Sequence, residues 1–290
     1  MKLPITFRVQ RRLLSICSHL FPRAIAEYSA NEFMTTVRHN RPGWEAELLK
    51  NATTKVFNNG IHSWWWGQGP VVLLVHGWDG RGSQLGRFVN PLVEAGFQVV
   101  AFDGPAHGDS PGMQTNLSDF SRHMLEVQAE IASSIDNTDG NENKSRDGVI
   151  YGAIGHSFGA AALMLATKRG LNLKKVVLIA SPCSLQDVFN RYTAFMKLSQ
   201  TTKNYFRDFL ELYTQLKIPD VQVNLIAKQL KASGLVVHDQ SDDEIPYQDA
   251  IEIVKTWPGA ELYLTQGLGH RRILKSREVI ERVKLFLQQS

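Results

Sequence analysis

The sequence predicts an α/β protein: a mostly parallel central sheet with helices on both faces. Two observations carry that expectation. From residue 71 onward, short apolar runs rich in Val, Ile and Leu alternate with helical stretches, and repeated strand–helix units of this kind build a parallel sheet covered on both sides. Ahead of them, two short β-prone runs flank Asn58-Asn59-Gly60. The Asn-Gly step is a hairpin turn signal, so an N-terminal antiparallel β-hairpin is expected to lead into the parallel strands. The 290 residues are 43% hydrophobic and 21% charged, which excludes disorder, collagen and coiled coil. A chain of this length buries a large core without staples.

The elements follow in order. Arg8, Arg11 and Arg12 precede Leu13-Leu14-Ser15-Ile16-Cys17, a basic-then-apolar order that resembles a signal peptide. Ser18 and His19 break the run, and no small-x-small cleavage site follows. The run also falls far short of the roughly 18 apolar residues that a membrane span needs. An amphipathic helix packed on the protein is expected, with a peripheral membrane contact or a flap over the site as alternative uses. Residues 1–50 are assigned to an N-terminal helical extension. The hairpin occupies 55–57 and 61–66, where Trp64 and Trp66 share one face and Trp65 takes the other. Strands are expected at 71–75, 97–102, 149–154, 175–180, 235–237 and 260–264. Helices are expected up to 95, over 117–135 and 160–169, from 248 and up to 287. Residues 136–147 are too polar to bury and read as a surface loop. After 181 the alternation stops, and 185–232 reads as purely helical with aromatics at helical spacing. The core is therefore assigned to 51–181 and 233–290, with a small helical cap insertion at 182–232.

Composition limits the function. The net charge is only +4, and no Lys/Arg stripe is interleaved with aromatics, so no nucleic-acid partner is expected. Cys17 and Cys183 cannot form a disulfide framework, which fits a reducing cytoplasmic location. His107 and Asp109 have no further ligands nearby in sequence, so no metal is expected.

Open parallel sheets carry their sites at the carboxyl ends of the strands. After 149–154 comes Gly155-His156-Ser157-Phe158-Gly159, a G-x-S-x-G between a buried strand and an apolar helix. After 235–237 comes His238-Asp239-Gln240-Ser241-Asp242-Asp243-Glu244, and after 260–264 comes Gly267-Leu268-Gly269-His270. Serine, acid and histidine thus follow one another in that order. A serine hydroxyl needs an imidazole to take its proton and a carboxylate to fix that imidazole's tautomer. The developing oxyanion needs backbone donors, for which Trp78 in His76-Gly77-Trp78 and Phe158 after the serine are the natural pair. His76, His107 and His156 are expected to hold loops by hydrogen bonds, and Cys183 to be a buried, inert thiol.

At this point the chain resembles the serine-nucleophile, esterase- and lipase-like branch of the α/β-hydrolase superfamily over residues 55–290. His76-Gly77-Trp78 is similar to the family's His-Gly oxyanion motif. The run from Asp103 to Ser110 is similar to its D-x-x-G-x-G-x-S loop, and 155–159 to its nucleophile elbow. The run from Asp239 to Pro246 is similar to its G-x-x-D-x-x-V-P segment, whose register selects Asp242 over Asp243. Ala106 and Asp239 stand where the family has glycine. The resemblance implies a catalytic Ser157, His270 and Asp242, an oxyanion hole from Trp78 and Phe158, a small-molecule acyl substrate and no cofactor. Carboxylic ester cleavage is the expected reaction. The same residues serve thioesterases, C–C hydrolases, acyltransferases and perhydrolases, and a non-catalytic binding protein of this fold is a further alternative. Arg271 and Arg272 follow the histidine near a helix start, where positive charge opposes the macrodipole. Either a substrate anion, held with Arg81, or a carboxylate such as Asp79 or Asp243 is expected to compensate them.

Overall fold

The computed structural model describes residues 5–139 and 150–289. In chain order these form α1 (Ile5–Leu20), α2 (Pro22–Met34), α3 (Gly43–Lys50), β1 (Thr53–Val56), β2 (His62–Trp66) and β3 (Val71–Val75). Next come α4 (Val89–Glu94), β4 (Gln98–Phe102), α5 (Leu117–Asp139), β5 (Ile150–His156), α6 (Phe158–Lys168) and β6 (Lys175–Ile179). The remainder is α7 (Leu185–Met196), α8 (Gln200–Thr214), α9 (Val223–Ala227), β7 (Ser233–Asp239), α10 (Gln248–Thr256), β8 (Glu261–Thr265), α11 (Gly269–Arg272) and α12 (Arg277–Gln288). The helix expected to end at 135 continues to Asp139. The rest of the expected polar loop, 140–147, lies outside the described residues. No helix among the described residues is long and apolar enough to cross a membrane.

These elements form two compact units. The larger comprises residues 36–183 and 223–289 and contains one sheet of order β1-β2-β4-β3-β5-β6-β7-β8. β1 pairs with β2, and β2 with β4, antiparallel; every other pair is parallel. Gly60, at φ +80°, turns the β1–β2 hairpin, its N–H bonding the Phe57 carbonyl at 2.8 Å. Every residue of β3 and β6 is buried, as a parallel sheet covered on both faces requires. Trp64 and Trp66 enter a core with Val72, Leu74, Leu85, Phe88 and Phe286. Trp65 lies under the Lys55 ammonium, 3.8 Å from the ring centre. α6 is buried from Gly159 through Ala166, so its nearly all-apolar sequence matches a helix enclosed on all sides. Because β4 and β5 flank β3, the winding reverses there. In open α/β sheets the crevice at such a reversal holds the ligand.

The smaller unit comprises residues 5–35 and 184–222. Pro22 opens α2 at its first turn, where its missing N–H costs nothing. The Ser184 and Ser199 hydroxyls cap α7 and α8. Ala26, Ala30 and Met34 of α2 pack with Phe189, Phe206 and Leu210 of α7 and α8. Two segments fall on the other side of the expected boundaries. Residues 36–50, read with the extension, belong to the sheet-bearing unit. So does α9, read with the insertion, which packs against α6 and α10.

Candidate active site

Ser157 sits between β5 and α6 with φ +54° and ψ −123°, a backbone region that non-glycine residues occupy only under constraint. Its neighbours explain how the turn is held. A Cβ on Gly155 would lie 2.7 Å from the Ala160 Cα, and one on Gly159 would collide with the His76 carbonyl. The Ser157 N–H is tied to the Ile179 carbonyl at the end of β6, 2.9 Å away. The tight turn therefore projects the serine side chain beyond the carboxyl end of the sheet.

There it meets residues from two other strand ends. The Ser157 Oγ lies 2.9 Å from His270 Nε2, and His270 Nδ1 lies 2.7 Å from Asp242 Oδ2. Asp243, the neighbouring candidate, is exposed, whereas the Asp242 side chain is fully covered. Burial by itself would raise the Asp242 carboxyl. Hydrogen bonds from His238, His270 and the Ile245 N–H outweigh burial and hold it well below the ordinary carboxylate range. Asp242 Oδ1 also accepts from the Glu244 N–H at 2.9 Å.

Several supporting residues escaped the sequence reading. His238 is fully buried, its Nε2 lying 3.0 Å from the Ile245 carbonyl and 3.3 Å from Asp242 Oδ2. Asp239, which replaces the family's glycine, is also fully buried. It accepts from the N–H groups of Ser241, Leu268 and Gly269 and from the Thr265 hydroxyl, all within 2.7–3.0 Å. One carboxylate thus joins the acid-bearing loop to the histidine-bearing loop. His156 Nε2 lies 3.0 Å from the His270 carbonyl. Burial and then the neighbouring His270 push its pKa down to about 3, so at neutral pH it adds no charge beside Ser157.

The loop after β3 forms the opposite wall. His76 is buried, with Nδ1 2.7 Å from the Gly77 carbonyl and Nε2 accepting from the Gly104 N–H at 2.9 Å. That pairing fixes the tautomer. Burial, then the nearby His107, holds the ring neutral. His107 Nε2 accepts from the Asp79 N–H at 3.1 Å. Both histidines therefore hold loops. A Cβ on Gly77 would lie 3.2 Å from the Ser157 Cβ, so the 77–78 backbone passes directly over the serine. Phe158, the first residue of α6, presents an N–H that no turn of the helix can use. The Asp103 carboxylate braces this wall, accepting from the Gly82 and Asp109 N–H groups at 2.7 Å and from Arg41 at 2.9 Å. Ala106 adopts φ +65°, which explains why a glycine suits that position.

A cavity of about 370 Å3 opens over Ser157 and His270, and its wall includes His39, Asp79, Gln84 and Glu244. Trp78 is the one large apolar side chain in this wall, which is otherwise polar. The arginines are compensated by the protein itself, through partners the sequence did not indicate. Arg81 makes a two-pronged pair with the buried Glu45 at 2.6 and 2.8 Å. Arg271 lies 3.2 Å from Glu244, and Arg272 donates to the Gly267 carbonyl at 2.9 Å. Asp79 accepts instead from the Val37 N–H. Among the described residues, no group of three His, Cys, Asp or Glu side chains is placed to hold a metal ion.

Solved structures of the same architecture are numerous. An esterase from Pyrococcus furiosus is 20% identical, covers 88% of this chain and 96% of its own, and superposes with a TM-score of 0.62. An esterase from Exiguobacterium antarcticum is 16% identical over 82% of this chain and 99% of its own, with a TM-score of 0.58. A bromoperoxidase from Bacillus anthracis is 18% identical over 82% and 100%, with a TM-score of 0.57. At these identities the likeness is one of fold. Comparison with curated proteins gave no match. The alpha/beta hydrolase family model matches residues 72–282, the stretch running from β3 through His270 into α12, and on that match the chain belongs to the alpha/beta hydrolase family.

Proposed function

We propose that the protein is a serine hydrolase that cleaves a carboxylic ester through an acyl-enzyme. The observation that carries this reading is the continuous chain from Ser157 Oγ through His270 to the covered Asp242, at 2.9 and 2.7 Å. In the proposed cycle Ser157 Oγ attacks the ester carbonyl while His270 Nε2 takes its proton. Asp242 holds Nδ1–H and balances the imidazolium. The N–H groups of Trp78 and Phe158 receive the oxyanion. Collapse of the tetrahedral adduct expels the alkoxide, to which His270 returns the proton, leaving Ser157 acylated. Water, deprotonated by His270, then repeats the sequence and releases the acid. The polar wall around the serine supports a short or polar acyl portion. The esterase names carried by two of the fold neighbours point the same way.

The test is labelling by a fluorophosphonate, together with turnover of a short-chain nitrophenyl ester. Wild type is expected to label at Ser157. Ser157→Ala and His270→Ala are expected to lose labelling and about 10⁵-fold or more in kcat, as when triad members are removed elsewhere. A folded wild type that neither labels nor turns over any ester would overturn the proposal.

A further inference from the structure

α1 carries a second apolar face that nothing in its own unit covers. Phe7 and Leu14 pack into the unit's core, which accounts for one side of the helix. Ile5, Val9, Leu13, Ile16 and Leu20 are instead 52–75% exposed. At about 100° per residue these five fall within an arc of about 80°, nearly opposite Phe7 and Leu14. Over 16 residues they make an aliphatic row about 24 Å long. Scattered single exposed leucines are ordinary; a continuous row is not.

The charge beside the row has one sign. Residues 1–26 contain Lys2, Arg8, Arg11, Arg12 and Arg23 but no Asp or Glu. A hollow of about 770 Å3 runs along the row, where Ile5, Val9 and Ile16 line it together with Arg8, Arg11, Arg12 and Lys197, with no acid among its lining residues. We propose that this face of α1 docks on an anionic lipid bilayer, the aliphatic row entering at the headgroup boundary and the cationic hollow receiving lipid phosphates.

Two features favour this occupant over others. The opposite side of α1 is committed to its own core, so only a shallow arc is available. A groove-forming protein partner needs a wider apolar stripe, whereas an interfacial helix needs a row only a few ångströms deep flanked by cations. A second copy of this chain would bring the same patch against itself, setting Arg8 and Arg12 of each copy among like charges. Lipid phosphates complement those charges. The proposal is independent of the ester-hydrolase reading, and its assay does not depend on turnover.

The experiment is co-sedimentation of the full chain with vesicles of phosphatidylcholine alone, or with about 30% phosphatidylglycerol, at low and high salt. Wild type is expected to pellet with the anionic vesicles and to be released by salt. Val9→Asp/Ile16→Asp is expected to bind at least about tenfold more weakly. Arg8→Gln/Arg12→Gln is expected to lose about fivefold per arginine on anionic vesicles at low salt and to show a shallower salt dependence. All four side chains face water or the hollow, so circular dichroism is expected to match wild type; the arginine pair remains informative if the aspartates disturb α1. Wild type left in the supernatant with anionic vesicles overturns the proposal, as does pelleting of both double variants to the same extent as wild type. Concentration-dependent dimerisation without vesicles, abolished by Val9→Asp/Ile16→Asp, assigns the row to a second copy and also overturns it.

Discussion

Ser157 is held at φ +54°, and strain of this kind costs about 1–3 kcal/mol. The strain aims the hydroxyl at His270, so the proposed function and stability oppose each other at one residue. Glycine at this position relieves the strain but loses about 1 kcal/mol to the freer unfolded chain. Ser157→Gly is therefore expected to be inactive and more stable by up to about 2 kcal/mol. Thermal unfolding checks this, and a midpoint below that of wild type would contradict it. The same residue shows what a sequence makes legible. Ser157 and His270 stand out because small residues crowd them at strand ends, where a strained backbone leaves a compositional trace. His238 leaves no such trace. Its bond to Asp242 depends on a loop folding back four residues, which no periodicity announces. Arg81 and Glu45 are 36 residues apart, and nothing in their spacing marks them as partners.

Asp239 shows how one side chain organises several elements. It ends β7 and gathers four donors from its own loop, from β8 and from the start of α11. Burial would raise its pKa, but the Thr265 hydroxyl and three N–H groups hold it below the ordinary 3.8. Asp242 is depressed in the same direction. A carboxylate depressed in the folded state contributes stability above its unfolded pKa and loses it as pH falls through its folded one. Stability is thus expected to decline as pH drops below about 4. Asp239→Asn keeps the shape but turns two donors toward an NH2 group. It is expected to cost about 2–3 kcal/mol at neutral pH, to flatten the acid decline, and to lower kcat by loosening Gly269 and His270. Urea titrations from pH 3 to 7 decide the matter, and an unchanged acid slope would remove Asp239 as its source. In the sequence Asp239 is legible only as a departure from the glycine of the motif that the segment resembles. The strands themselves were legible, because runs such as Val71-Val72-Leu73-Leu74-Val75 have no polar face to expose. The stretch after β3 was legible only as helical. Its first part, Gly82–Phe88, is a 3-10 helix, tightened by the Gly82 N–H reaching Asp103.

At the scale of the whole molecule, the partition into units was the least legible feature. Helical periodicity shows that α2 and α8 each have an apolar face, but not that the two faces meet. Their partners lie more than 150 residues apart in the chain, so each looked like a separate appendage. The structure instead closes one small core from Ala26, Ala30 and Met34 on one side and Phe189, Phe206 and Leu210 on the other. The aromatics of α7 and α8 pack against the small residues of α2, so each helical pair covers the apolar face of the other. Deleting residues 1–35 is therefore expected to expose Phe189, Phe206 and Leu210 and to cost several kcal/mol, at about 25 cal/mol per Å2 of apolar surface. The loss falls locally on residues 184–222, while the sheet-bearing unit retains its own core. Limited proteolysis followed by mass mapping measures this directly. The truncated chain is expected to be cut within 185–214 at least about tenfold faster than the full chain, with 223–289 remaining protected, because proteolysis tracks the population of the locally open form. Equal resistance of 185–214 in both forms would mean that α7 and α8 fold without α2, and that the small core is a contact between independent parts rather than a single unit.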